Sequence, residues 1–151
     1  MIMSPLYLNR WMLMRVVIVG ANFVGASLIS HGPQAIPPVT WSTLLAALLL
    51  TPVGLLFVIG IQAANPRSAP RWRYPSWSVN PFSMKEPLLF FHFAAYVSIA
   101  GGVGSIAYVL IHDVPTSPEA FFEIVIGIGL LSGVRLCSII FRQKMARDLQ
   151  L

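Results

Sequence analysis

Apolar residues run through this chain in long blocks, and polar or helix-breaking residues punctuate them. No charged residue occurs from Val16 to Pro66, nor from Pro87 to Ile111. A helix needs ~20 mostly apolar residues to cross a bilayer. The first run is long enough for two such helices, divided by Gly32, Pro33, Pro37 and Pro38, and Asn65-Pro66 ends the second. The pattern predicts spans at about 11–29, 41–61, 84–111 and 118–141, all within one membrane domain covering 1–151. Pro52 falls inside the second span, where a membrane helix tolerates it. Ser83 and Glu86 have the spacing of a capping box, which predicts that the third span starts at Met84. Ser117 followed by Pro118 predicts the start of the fourth. The fold class expected is an all-α integral membrane protein of four transmembrane helices, arranged as two helical hairpins.

Basic residues then orient the spans. Arg10 and Arg15 precede the first apolar segment, and Arg67, Arg71, Arg73 and Lys85 lie between the second and third. Arg135, Arg142, Lys144 and Arg147 are near or beyond the end of the fourth, whereas Ser30–Thr40 and His112–Pro118 contain no Lys or Arg. Basic residues stay on the cytoplasmic side during insertion, so N-in/C-in topology is expected, with 62–83 as a cytoplasmic loop. Arg10, Arg15 and Val16–Ser30 also resemble the start of a signal peptide, but no clear cleavage site follows, and an uncleaved first helix is the expectation.

Composition agrees with a membrane class. Of 151 residues, 56% are hydrophobic and 10% charged, against roughly 25% charged in soluble domains. The net charge of +5 belongs mostly to loops, which points to anionic lipid headgroups rather than nucleic acid. One cysteine, Cys137, excludes an intrachain disulfide and a cysteine metal cluster. Compactness points to a bacterial inner (cytoplasmic) membrane.

Displacing the first half by 81 positions aligns Gly20 with Gly101, His31 with His112, Pro37 with Pro118 and Val53 with Val134 without gaps. This suggests a parallel internal repeat about an axis along the membrane normal. Helix packing in lipid depends on small residues and interhelical hydrogen bonds. The candidates are Gly129 and Gly133 on the fourth span and Ala94, Ser98 and Gly102 on the third; Ala21 and Gly25 on the first and Thr51 on the second are further small residues.

Five groups of residues are candidates for chemistry, each with a bland reading beside it. Glu123 is a turn deeper than Glu119, where an ionisable group is functional by default or reaches back to the headgroups. Arg135 is ~9 Å inside the fourth span and His92 ~7.5 Å inside the third. They are placed to flank an anionic headgroup, a substrate or a proton path; alternatively Arg135 snorkels and His92 hydrogen-bonds backbone. Asn22, near the middle of the first span, is expected to bond Thr51 or Ser98. His31, His112, Asp113 and Glu119 form a candidate divalent-metal set, although Asp113 suits a wet turn and Glu119 suits a helix N-terminus. His31 and His112 are also considered as haem ligands, a poor fit beside helix breakers. Finally, Arg67, Arg71, Trp72, Arg73, Tyr74 and Trp77 make the loop a lipid- or partner-binding segment. Within it, Asn80-Pro81-Phe82 matches a short docking tripeptide and equally a turn.

No catalytic motif is present: no P-loop, no H-E-x-x-H, no Ser-Lys or paired-Asp arrangement within spans. The expectation is a non-enzymatic accessory or scaffold subunit acting through helix–helix contacts with other membrane subunits or itself. The alternative is an oligomeric small transporter or channel using Glu123 and Arg135. A haem- or metal-binding protein is the most distant alternative, and no cofactor is expected.

Overall fold

The computed structural model describes residues 9–29, 39–63, 74–83 and 86–148, with the side chains of 62–63 and 144–148 excepted. Among the described residues it is all-helical, with four helices: α1 (Arg10–Leu28), α2 (Trp41–Ala63), α3 (Pro87–Ile111) and α4 (Glu119–Asp148). Each is long and apolar enough to span a membrane.

Local chemistry sets the helix starts. Asn9 caps α1, its side-chain oxygen accepting from the Trp11 amide at 2.9 Å. Thr40 Oγ1 accepts from the Thr43 amide at 3.2 Å at the head of α2. The capping box expected at Ser83 and Glu86 does not form. Glu86 itself occupies the N-cap without a side-chain cap bond, and α3 begins at Pro87. Proline explains this: it disfavours helical geometry in the residue before it, and it fits the first helical position well. Ser83 instead accepts the Glu86 amide through its carbonyl at 3.1 Å, in a run of turns. At the far end, α4 continues past Phe141 to Asp148, so the basic stretch extends the helix.

The helices contact one another in the order α1–α3–α4–α2. Helix α3 packs on α1 and α4, and α4 also packs on α2. The first two helices, expected as a hairpin, are not packing partners. Contacts fix the directions. Asn22 reaches Val97, while Phe23 and Ala26 meet Gly104, so α1 and α3 run parallel. Thr51 meets Gly129 and Leu55 meets Gly133, so α2 and α4 are parallel as well. Gly101 lies against Glu123 whereas Ala95 lies against Gly127, making α3 and α4 antiparallel. The N-terminal ends of α1 and α3 therefore share one end of the molecule with the C-terminal ends of α2 and α4. This is called the loop end below; the α3–α4 turn marks the turn end.

Backbone approach governs these seams. A Cβ at Gly127 would sit 2.7 Å from the Ala95 carbonyl oxygen, and one at Gly102 would sit 2.7 Å from the Ile124 amide nitrogen. At Gly104 it would strike the Phe23 carbonyl oxygen and lie 2.8 Å from Ala26 Cβ. Backbone cannot move aside as a flexible side chain can, so glycine is what lets these helices meet. At the loop end, Leu55, Ile59, Leu88, Val134 and Cys137 form the buried cluster that ties α2, α3 and α4 together.

Candidate functional site: a mid-helix polar groove and a capped arginine

Two arrangements of polar residues stand out in this apolar frame. The first is a shallow, open groove of about 410 Å³ along the α3 face between α1 and α4. Ile18 and Asn22 of α1, Phe90, Phe93, Ala94, Val97 and Ser98 of α3, and Glu123 of α4 line it. Its polar groups belong to the helix seams. Asn22 Nδ2 donates to the Val97 carbonyl at 2.7 Å, crossing from α1 to α3. Ser98 Oγ donates to the Glu123 carbonyl at 2.8 Å, crossing from α3 to α4. The Glu123 carboxylate and the Asn22 amide both lie over Gly101, where a Cβ would displace them. A carboxylate one turn inside α4, a carboxamide of α1 and a hydroxyl midway along α3 thus share an otherwise apolar and aromatic wall.

Asn22 does not bond Thr51 or Ser98. Thr51 is on α2, at the opposite end of the helix order, and donates to its own Ala47 carbonyl at 2.6 Å. Ser98 is occupied with Glu123. Ala94 lines the groove, and Gly102, Gly129 and Gly133 lie in seams. Gly25 has nothing within 4 Å.

The second arrangement is at the loop end. Arg15 has no exposed surface. Its Nη2 donates to the Val79 carbonyl at 2.7 Å, while Nε and Nη1 have no hydrogen-bond partner. Its guanidinium carbon is 5.8 Å from the Trp77 ring centre and 5.9 Å from that of Phe93. His92 is also buried, and its Nδ1 is likewise without a partner. The imidazole contacts ring edges of Tyr74 at 5.4 Å, Trp77 at 6.3 Å and Tyr96 at 5.0 Å. Segment 74–83 is therefore a cap that closes over the ends of α1 and α3. Asn80 Oδ1 accepts the Phe82 amide at 3.0 Å, so Asn80-Pro81-Phe82 is a turn within that cap.

Tyr74 links the cap to Arg135, whose guanidinium carbon lies 5.4 Å from the Tyr74 ring centre. Arg135 is exposed, and Tyr74 separates it from His92. Burial, followed by the neighbouring Tyr96, raises the Tyr74 pKa above its ordinary value, and Arg135 opposes the shift.

Of the candidate metal set, His112, Asp113 and Glu119 are described and His31 is not. Among the described residues, no three of His, Cys, Asp and Glu converge. His112 stacks on Tyr108 at 4.1 Å, and its Nδ1 lies 3.0 Å from the Tyr108 carbonyl oxygen. Asp113 takes the left-handed conformation, φ 52°, that ends α3. The Val114 amide bonds back to the Val109 carbonyl at 3.1 Å, which fits a helix-ending turn. His31, Arg67, Arg71, Trp72 and Arg73 lie outside the described residues.

Arg15 is the residue that sequence reasoning missed, since it was counted with Arg10 as a flanking charge. The signal was its place four residues inside a span that starts at Trp11. Gly127 was also missed as a contact site, because spacing alone does not say which small residues face a neighbour. Compared with known proteins, the chain matches no family model, no curated protein and no solved structure.

Proposed function

We propose that the chain is a small multi-pass subunit of a membrane assembly, with both termini and the cap on the cytoplasmic side. It works by receiving a transmembrane helix in the groove between α1 and α4. The observation that carries this reading is that Asn22, Ser98 and Glu123 line one groove wall, inside three helices long and apolar enough to span a membrane. Polar groups at that depth are expensive beside lipid tails and favourable beside a helix that hydrogen-bonds them. The occupant is accordingly a helix with a polar or cationic side chain near its middle. Parallel packing of α1 with α3 and of α2 with α4 fits alternate crossings.

A photo-crosslinking residue at Ala94, in native membranes, tests the reading. It should label one apolar helix, identifiable by mass spectrometry, with a second copy of this chain among the outcomes. Ser98→Leu, which fills the groove, should abolish the label, and the same probe at Leu49 on α2 should label lipid only. Lipid labelling alone at Ala94 would reject the groove as a helix-docking site.

A transport reading draws on one specific observation, the Glu123 carboxylate beside Asn22 at the open groove. It requires ion or proton flux in reconstituted vesicles that Glu123→Gln abolishes. The subunit reading expects no flux in the wild type.

A further inference from the structure

We propose that Arg15 and His92 form a binding site for a phosphate oxyanion at the loop end of the α1–α3 seam, with residues 76–79 as its cover. The inference is independent of the groove reading. It starts from donor accounting. Guanidinium has five N–H donors and a permanent charge. Here Nη2 has a partner, a neutral backbone carbonyl, while Nε and Nη1 have none. His92 Nδ1, on a ring that likewise neighbours Trp77, also has none. Buried polar groups are satisfied in the great majority of cases, and buried charges above all. Trp77 and Phe93 do little for the guanidinium, since both rings are at the ~6 Å limit of a cation–π contact. An oxyanion accepting from Arg15 and from an Nδ1–H of His92 satisfies both the donors and the charge.

Depth selects phosphate. Arg15 is five residues from the start of α1, and His92 five residues from the start of α3, so each is ~7.5 Å inside its helix. At that level a basic side chain meets lipid headgroups. Arg135, on the other side of Tyr74, adds positive potential. Aromatic rings of Tyr74, Trp77, Phe93 and Tyr96 wall the site and exclude competing water. The Val79 carbonyl is the polar group the oxyanion replaces, so binding lifts the Ser76–Val79 turn off Arg15. A phospholipid headgroup and a free phosphate share this chemistry.

The test uses the full chain, labelled with ¹⁵N-arginine, in maltoside micelles that contain no phosphate. One arm adds phosphatidylglycerol to the micelles; the other adds inorganic phosphate to the buffer. The Arg15 Nε–H resonance should move downfield and saturate, and Trp77 emission should shift red as the cover lifts, with Trp77→Phe as the control. Response to the lipid alone assigns a headgroup, and response to phosphate as well assigns a general oxyanion site. His92→Phe should weaken the response about tenfold, and Arg15→Gln should remove the Trp77 shift. No movement of the wild-type Arg15 resonance in either arm overturns the proposal, whether or not the variants fold.

Discussion

Helices α2 and α3 are both long and uncharged, yet they are used in opposite ways. Helix α2 is the most apolar of the four, and Leu45, Leu49, Leu50, Val53, Phe57 and Ile61 on it are exposed. Helix α3 is less apolar and more buried, with Leu88, Leu89, Ala95, Gly101, Gly102 and Gly104 covered. Their glycines show the same contrast. A Cβ at Gly101, Gly102 or Gly104 of α3 would collide with a neighbour, while one at Gly54 or Gly60 of α2 would meet nothing within 4 Å. In water the greasier helix would be the buried one. In a membrane, lipid tails solvate apolar side chains as well as another helix does, so close approach decides which helix is central.

Bulk at a glycine is the strongest way to break this contrast. Gly104→Leu and Gly127→Leu should each cost about 3 kcal/mol or more, because the collisions are with backbone. Gly60→Leu should stay within about 0.5 kcal/mol. Thermal unfolding in detergent reads the difference, and equal losses at Gly104 and Gly60 would refute the proposed helix order.

The single seam of α2 should respond less. A Cβ at Gly133 lies 2.9 Å from Leu55 Cδ2 and 3.0 Å from Pro52 Cα. Since Leu55 is partly able to turn away, Gly133→Leu should cost about 2 kcal/mol and detach α2 first. A crosslink between Thr51 and Gly129 positions, lost in Gly133→Leu while α1–α3 crosslinks persist, is the expected result.

A smaller effect separates a buried cation from an exposed one. In phosphate-free detergent Arg15→Met should be neutral to stabilising by about 1 kcal/mol, because a poorly paired buried charge is replaced by an apolar chain of similar length. Arg135→Met, at an exposed position, should change little. Strong destabilisation by Arg15→Met in that medium would mean that the Val79 bond and ring contacts already satisfy Arg15.

The smallest effect is the titration of Tyr74. Its folded pKa is raised above 10.0, so the fold favours the neutral phenol. That contribution is complete below about pH 10 and is lost as pH rises through the folded pKa. Alkaline titration should show Trp77 emission changing above pH 10 as the cap loosens, with no such step in Tyr74→Phe. An unchanged profile in Tyr74→Phe would remove Tyr74 from the cap's hold.

Much of the architecture was written in periodless apolar length. Four blocks, separated by proline, glycine and charge, are enough to specify four helices, because a lipid interior forces backbone groups to bond within the segment. The same logic made Glu123 and Asn22 stand out, as polar groups among residues that need no explanation. Start signals were less secure: Ser83 and Glu86 have capping-box spacing, but Pro87, adjacent to Glu86, overrides it.

Tertiary structure alone decided the rest. Sequence neighbours α1 and α2 do not pack, while α1 and α3 do, and nothing in the apolar pattern distinguishes those outcomes. Gly25 and Gly104 look equally suited to a close contact, yet only Gly104 has another backbone against it. Arg15 reads as a flanking charge along the chain, but segment 74–83 folds over it, and the Val79 carbonyl takes one of its donors. Hydrophobic length is a local property that each segment satisfies alone against lipid. Which faces touch, and which charge is covered, depends on pairwise fit between distant segments.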